Sequence, residues 1–168
     1  TSAEADRLLA SCDRATAIGR RDHAVLLLLG RLGMRAGEVV AMCLDDIDWE
    51  TGEFVVRGKG GYQDRLPLPP DVGEALADYL SHGRPCCESR RVFLRARAPQ
   101  GPLAGPAGLD DIVSRALGRA GIDPPRRGAH LLRHSLATRM LRGGASLVEI
   151  GQALRHRCLS TTEIYAKV

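Results

Sequence analysis

Lysine is almost absent from this chain of 168 residues. Of its 24 basic residues, Lys59 and Lys167 are the lysines, and the other 22 are arginines. Aromatic residues make up 4% of the sequence, so leucine, valine, isoleucine and alanine must fill the core. The longest apolar run, Ala24–Leu29, is far shorter than the roughly 20 residues of a membrane-spanning helix, which argues against a transmembrane segment.

The five cysteines are odd in number and have no metal-ligand spacing, which predicts a reduced, intracellular protein without a disulfide framework. Hydrophobic residues form 44% of the chain, which excludes the composition of a disordered protein. The length suits one domain better than two.

Positive charge is concentrated in the last third of the chain. Residues 126–157 hold seven arginines and one acidic residue, Glu149, whereas residues 1–52 hold nine acidic residues and six arginines. Arginine binds phosphate through paired N–H donors. A genome rich in arginine could give the same total, but this clustering favours a nucleic-acid partner.

Hydrophobic periodicity and capping signals predict a mainly α-helical domain with one small antiparallel β-sheet, an α+β fold. Asp22 is expected to cap the first strong helix, and Ser146 and Ser160 each open a capping box with a glutamate three residues later. The stretch up to Gly33 is predicted to be helical, with one helix at residues 23–32, and further helices are predicted at 37–42, 71–81, 110–120, 130–142 and 147–155 and, after Ser160, around Tyr165. Strands are predicted at 53–57 and 62–68 around a turn at 58–61, and a surface loop with a short apolar run at 83–108.

Several side chains that could take part in catalysis have ordinary structural interpretations when each is taken alone. His130 and Arg133 are three residues apart on one helix and so are neighbours on its surface. Lys59 lies at a glycine-rich hairpin tip, where a lysine is usually just solvated. Tyr165 follows His156 by nine residues and could simply pack near the chain end.

In their order along the chain, four segments resemble the tyrosine recombinase (phage integrase) family. They are an arginine box (Gly33–Glu38 continuing to Leu44–Asp48), a lysine hairpin (Gly58–Gly61 followed by Arg65–Pro69), an H-x-x-R helix (His130–Thr138) and a nucleophile box (His156–Tyr165). The resemblance covers about Asp22 to Val168 and implies a tyrosine-recombinase-type catalytic domain.

The resemblance implies a site-specific DNA recombinase or integrase that cleaves and rejoins strands through a 3′-phosphotyrosyl intermediate. It assigns Arg35 and Arg133 to the scissile phosphate, and Tyr165 to nucleophilic attack. Positively charged arginines can stabilise the phosphoryl transition state where other enzymes use metal ions. No metal, cofactor or ATP is therefore expected.

The remaining roles concern proton transfer and support. The resemblance makes His130 the proton acceptor or orienter for the tyrosine, Lys59 the general acid for the leaving 5′ hydroxyl, and His156 a hydrogen-bond donor to the phosphate, with Glu38 and His134 as supporting residues. Two positions depart from the family pattern: Arg155 replaces the usual glycine before His156, and Leu131 replaces a frequent aspartate.

We expect residues 1–168 to form a single catalytic domain, without the N-terminal DNA-clamp domain and the C-terminal tail that family members usually carry. The expected partner is double-stranded DNA, with a tetramer on DNA for the full-length protein, a monomer for this fragment, and no membrane. The expected location is the cytoplasm, on the nucleoid.

Two alternatives remain open on the sequence. A non-catalytic DNA-binding module of the same fold would need only the basic C-terminal third, and its binding would depend strongly on salt. A type IB topoisomerase would use similar residues to relax supercoils without strand exchange. Phage integration, transposition, cassette capture and chromosome-dimer resolution are all compatible with these motifs. A metal-dependent nuclease fits poorly, since the acidic residues do not cluster with histidine.

Overall fold

The structure is a computed structural model that describes residues 2–58, 60–125 and 127–156. Within these ranges the helices are α1 (Ser2–Ala10), α2 (Ala17–Gly30), α3 (Ala36–Ala41), α4 (Pro70–His82), α5 (Pro106–Arg119), α6 (Ala129–Arg142) and α7 (Leu147–Ala153). The strands are β1 (Ile47–Asp48), β2 (Glu53–Arg57) and β3 (Gln63–Pro67). The predicted mainly helical fold with a small antiparallel sheet is confirmed.

Helix α2 is the centre of the domain. Its apolar run Ala24–Leu29 is buried on every side, as expected of a helix without a polar face. It packs against α4 on one side and α6 on another, and it also contacts α1, α3 and α5. None of the helices in the described ranges is long and apolar enough to cross a membrane.

The start of α2 differs from the sequence prediction. The helix begins at Ala17 rather than His23, and the side-chain oxygen of Thr16 caps it by accepting a hydrogen bond from the Gly19 N–H at 3.0 Å. The predicted cap, Asp22, instead lies inside the helix, fully buried and paired with Arg21 at 2.7 Å. In the sequence, a buried aspartate that pairs with an arginine looks the same as a capping aspartate, because both directly precede an apolar helical segment.

The sheet has the order β1-β2-β3, with both pairs antiparallel. The predicted hairpin is confirmed: Phe54 pairs with Leu66, and Val56 pairs with Asp64. The two-residue strand β1 was not predicted from the sequence. Strand β3 is also shorter than predicted, because it begins at Gln63 rather than Tyr62 and ends at Pro67.

The loop between α4 and α5 contributes to the core despite its irregular backbone. Phe93 stacks on Tyr79 of α4 with ring centroids 5.6 Å apart, and the Leu94 N–H donates to the Tyr79 hydroxyl oxygen at 3.2 Å. The short apolar run within the predicted loop is therefore part of the core. The loop ends earlier than predicted, since α5 begins at Pro106.

Helices α6 and α7 form a smaller second cluster. Ala137 of α6 packs with Ile150 of α7 and with Leu154 just after it. The predicted capping box at the start of α7 is confirmed, because Ser146 and Glu149 exchange hydrogen bonds. This packing places the chain after α7 next to the residues that precede α3.

Candidate active site

An open cleft of about 1020 Å³ lies between α3, the β2–β3 hairpin and the end of α7. Three of the four segments singled out in the sequence contribute to it. Its charged and polar lining includes Arg35, Glu38, Arg57, Asp64, Arg155 and His156. Residues far apart in sequence therefore meet at one surface.

Arg35 is the N-cap residue of α3, and its side chain is 45% exposed and lines the cleft. Its Nη1 donates to Glu38 Oε1 at 2.7 Å, and its main-chain N–H donates to Glu38 Oε2 at 2.8 Å. Its Nη2 donates to the carbonyl oxygen of Arg155 at 3.2 Å. The guanidinium is thus held at one edge and stays accessible to an anion.

Arg133 lies in the second turn of α6 and is 4% exposed. Its Nη1 donates to the carbonyl oxygen of Gly33, and its Nη2 donates to that of Leu154. One buried guanidinium therefore ties the loop before Arg35 to the segment before His156. Such a group bridges two irregular segments and supplies hydrogen-bond donors to the carbonyls of two buried residues.

Gly33 makes this close approach possible. Its φ is +60°, and a Cβ atom at this position would lie 2.6 Å from Leu154 Cδ2 and 2.9 Å from Leu136 Cδ2. Only glycine adopts this conformation readily and leaves that space free. The glycine of the first box is thus a packing requirement of the site.

Glu38 is 6% exposed and accepts hydrogen bonds from two arginines. Burial alone would raise the pKa of this carboxyl, but hydrogen bonds from Arg35 and the charge of Arg155 hold the pKa below its ordinary value. Glu38 is consequently ionised at neutral pH. It acts as a fixed anion beneath the exposed guanidinium of Arg35.

His156 is the last described residue and lies half-buried in the cleft wall. Its main-chain N–H donates to the Gly151 carbonyl oxygen at 2.8 Å, which folds the chain back after α7. Burial, followed by the charges of Arg133, Arg35 and Arg155, lowers the pKa of His156 to about 4. The imidazole is therefore neutral at neutral pH and has one N–H to donate.

His130 and His134 lie on α6 outside the lining of this cleft. His130 is exposed in the first turn of the helix, one turn before the buried Arg133, and His134 is half-buried. A side chain of α5 fixes the start of α6, because the Ala129 main-chain N–H donates to Asp110 Oδ1 at 2.8 Å. The structure therefore brings Arg35, Glu38 and His156 together in the cleft lining, with Arg133 buried outside that lining against the Leu154 carbonyl and His130 at the exposed start of α6.

Lys59 lies outside the described residues, but the strand that leads to it is well anchored. Arg57 donates to the buried carboxylate of Asp46 through Nε at 2.9 Å and Nη2 at 2.6 Å. Asp46 also accepts a hydrogen bond from the Cys43 N–H at 2.8 Å. Gly58, the neighbour of Lys59, lines the cleft. Tyr165, in the nucleophile box, also lies outside the described residues.

Three side chains of the site had no assigned part in it from the sequence. Asp46 lies within the first box, which gives it no partner, and Asp64 lies between the two parts of the lysine hairpin. Arg155 was noted only as a departure from the family pattern, and it forms an ion pair with Glu38 at 2.7 Å. The positions are 117 residues apart, so no local signal could have revealed the pair.

The described residues hold no group of three or more His, Cys, Asp or Glu side chains that could bind a metal ion. The ionic groups of the cleft wall are three guanidinium groups and two carboxylates, Glu38 and Asp64, and so leave an excess of positive charge. Such a wall suits an anionic ligand with oxygen acceptors.

Comparison with known proteins gives consistent matches. The chain is 59% identical over 165 residues to y4rA of Sinorhizobium fredii (strain NBRC 101917 / NGR234), a protein provisionally named an integrase/recombinase, with 98% of this chain and 40% of that protein covered. It is 39% identical over 156 residues to tyrosine recombinase XerD of Mycobacterium tuberculosis (strain ATCC 25618 / H37Rv), covering 88% of this chain and 48% of that protein.

Among solved structures, the chain resembles XerH site-specific recombinase bound to a palindromic difH substrate in a post-cleavage complex. The TM-score is 0.83 at 25% identity, covering 99% of this chain and 48% of that chain. The chain thus spans less than half of the length of each of these three relatives. The sequence model of the phage integrase family matches residues 1–168. With this match and the recombinase-type fold, the chain belongs to the phage integrase family.

Proposed function

We propose that this chain is the catalytic part of a site-specific DNA recombinase or integrase. One observation carries the proposal: two arginines donate to consecutive main-chain carbonyls, Arg133 to that of Leu154 and Arg35 to that of Arg155. The next residue along the chain is His156, whose imidazole is neutral at neutral pH. An arrangement of rigidly held N–H donors is what a phosphodiester transition state requires, since its extra charge develops on the non-bridging oxygens.

The reaction is a transesterification without net loss of bond energy. The phenolic oxygen of Tyr165 attacks phosphorus, and the bond between phosphorus and the 5′ oxygen breaks. The phenolic proton passes to His130, and Lys59 gives a proton to the departing 5′ oxygen. Attack of a new 5′ hydroxyl on the phosphotyrosine then reverses these steps and rejoins the strand, so neither ATP nor a metal ion is consumed or required.

In this scheme Arg35 is the residue that binds the phosphate before the reaction begins. Its guanidinium donates to Glu38 and to the Arg155 carbonyl, and its side chain is 45% exposed, so it can present its remaining N–H groups to a phosphate oxygen. His156 would donate its single N–H to the same phosphate. Because its pKa is about 4, its donor capacity is constant across the neutral range.

The proposed partner is double-stranded DNA, because positive charge is concentrated in the last third of the sequence. Strand exchange requires four cleavages, so a tetramer on DNA is the proposed working form of the complete protein, and a monomer is proposed for this single domain. The proposed place of action is the cytoplasm, on the nucleoid.

A covalent capture experiment tests the proposal and assumes no particular target sequence. The chain is incubated with a library of nicked duplexes of randomised sequence, in which a short fragment leaves after cleavage and religation is prevented. Denaturing gels separate protein–DNA adducts, and the trapped DNA is sequenced. We expect adducts enriched for one sequence, unchanged by EDTA, and absent from Tyr165→Phe.

Each other outcome contradicts the proposal in a defined way. Salt-sensitive DNA binding without an adduct, equal in wild type and Tyr165→Phe, would identify a non-catalytic DNA-binding module. Adducts without sequence enrichment, combined with relaxation of supercoiled plasmid, would identify a topoisomerase. Cleavage abolished by EDTA would identify a metal-dependent nuclease.

A further inference from the structure

Arg155 has an unusual main-chain conformation beside the cleft. Its φ is 54°, which makes it the one residue other than glycine with a positive φ in the part of the chain that the structure describes. Side chains are unfavourable in this left-handed region, and glycine is favoured there. A long charged side chain at such a position needs contacts that offset the strain.

The contacts of Arg155 join three elements. Its Nη2 donates to Glu38 Oε2 of α3 at 2.7 Å, and its Nε lies 4.0 Å from Asp64 Oδ2 of β3. Its own segment continues directly to His156. The side chain is 9% exposed, so the ion pair with Glu38 is shielded from water and from screening by salt.

These contacts close a ring with Arg35. Glu38 accepts from Arg35 through Oε1 and from Arg155 through Oε2, and the Arg155 carbonyl oxygen accepts from Arg35 Nη2 at 3.2 Å. Oε2 also accepts from the Arg35 main-chain N–H at 2.8 Å, so Arg155 adds a second donor to that oxygen. With both carboxylate oxygens engaged, Glu38 has one orientation in which it satisfies all its partners.

We propose that Arg155 is a positioning residue that fixes Glu38, and through it the guanidinium of Arg35, in a set geometry relative to His156. Arg155 itself does not contact the phosphate in this role, because its guanidinium is buried against Glu38. The inference rests on the proposed function, since it specifies how the phosphate-binding groups of that site are held.

The physical basis is the sensitivity of phosphoryl transfer to alignment. An exposed arginine samples several rotamers, and each one outside the reactive geometry lowers the cleavage rate. The Arg155 side chain restricts Arg35 through Glu38, whereas the Arg155 main-chain carbonyl accepts from Nη2 directly and is kept when the side chain is replaced. Loss of the ion pair with Glu38 should therefore lower the rate of cleavage of bound DNA and leave DNA affinity nearly unchanged.

The test compares wild type with Arg155→Asn and Arg155→Lys on the DNA sequence selected by covalent capture. Asparagine tolerates a positive φ but cannot reach Glu38 as a cation, whereas lysine keeps the charge. Arg115→Asn, at an exposed position of α5, is the matched control. Cleavage rates at saturating DNA and apparent Kd values are measured, and thermal melting verifies that each variant is folded.

We expect Arg155→Asn to cleave saturating DNA about tenfold or more slowly, with an apparent Kd within about twofold of wild type. Arg155→Lys should recover most of the rate, and Arg115→Asn should match wild type. Weaker DNA binding with an unchanged rate would overturn the proposal by making Arg155 a direct DNA contact. An unchanged rate and affinity would overturn it as well.

A second readout separates this inference from the proposed function. In wild type, the Arg35 guanidinium N–H groups should give resolved NMR signals, because their hydrogen bonds slow rotation. The Nη1 signals, which depend on the bond to Glu38, should broaden or merge in Arg155→Asn, and their persistence would overturn the positioning role. Wild-type protein that forms no adduct with any library member contradicts the proposed function, while the NMR result still decides whether Arg155 restrains Arg35.

Discussion

Arg133 donates a hydrogen bond to the main-chain carbonyl of Leu154, 21 residues later in the chain. The neighbouring carbonyl, that of Arg155, accepts from Arg35, so the two arginines of the proposed phosphate site converge on consecutive peptide groups. The turn after α7 is therefore the structural link between the arginine box, the H-x-x-R helix and the segment that leads to Tyr165. Four predictions test this link and the chemistry built around it.

Arg133→Ala should destabilise the fold as well as abolish DNA cleavage. Removal of the guanidinium leaves the buried Gly33 and Leu154 carbonyls without this donor, which we expect to cost about 2–4 kcal/mol in unfolding free energy. Urea denaturation measures the change. Arg142→Ala, at an exposed position of the same helix, should stay within about 0.5 kcal/mol of wild type. Equal effects of the two substitutions would contradict the bridging role.

Gly33→Ala should be destabilising, and Gly30→Ala should not. A Cβ atom at Gly33 meets Leu154 Cδ2 at 2.6 Å at a φ of +60°, whereas a Cβ atom at Gly30 meets nothing within 4 Å. We expect a loss of about 2–4 kcal/mol for Gly33→Ala. For Gly30→Ala, at the end of α2, we expect a gain of about 0.5–1 kcal/mol. Thermal unfolding of the matched pair measures both, and a neutral Gly33→Ala would refute the packing argument.

His156 should titrate with a pKa of about 4 in the folded protein, because burial and the charges of Arg133, Arg35 and Arg155 disfavour its protonated form. The unfolded chain binds a proton near pH 6.5, so the unfolded state binds more protons between these values. Stability from this group is therefore complete above pH 6.5 and decreases as the pH falls from 6.5 to about 4.

NMR titration of the imidazole Cε1–H signal measures this pKa, with the signal assigned by its loss in His156→Asn. A midpoint at or above pH 6 would show that the imidazole is not held neutral. Arg35→Gln should move the midpoint upward, because it removes one of the charges that lower the pKa.

Lys59→Ala should slow strand cleavage by about 10²–10⁴-fold if the amine protonates the departing 5′ oxygen. A substrate with sulfur in place of that bridging oxygen tests the assignment, since a thiolate leaves without a proton. Cleavage of the sulfur substrate should be nearly equal in wild type and Lys59→Ala. A similar defect on both substrates would instead assign Lys59 to phosphate binding. Lys167→Ala, the other lysine, serves as the matched control.

The family and the fold class were predictable because their signals are local or ordered along the chain. The capping box of Ser146 and Glu149 and the hairpin of β2 and β3 depend on neighbouring residues, and both predictions are confirmed. The prediction for Asp22 was wrong because a buried ion pair and a helix cap look alike in one sequence. The assignment of catalytic roles to Lys59, His130 and Tyr165 stays a prediction.

The sequence by itself determined the order of the four boxes, the residue types within them and the helices that carry them, since these follow from periodicity, caps and glycine positions. The arginine box and the H-x-x-R helix singled out Arg35 and Arg133, but only the tertiary structure decided their partners and brought Arg155 into the site. Arg133 meets Gly33 across 100 residues, and Arg155 meets Glu38 across 117. Burial and long-range charge set these partnerships, and with them the neutral state of His156, because both depend on which surfaces pack together.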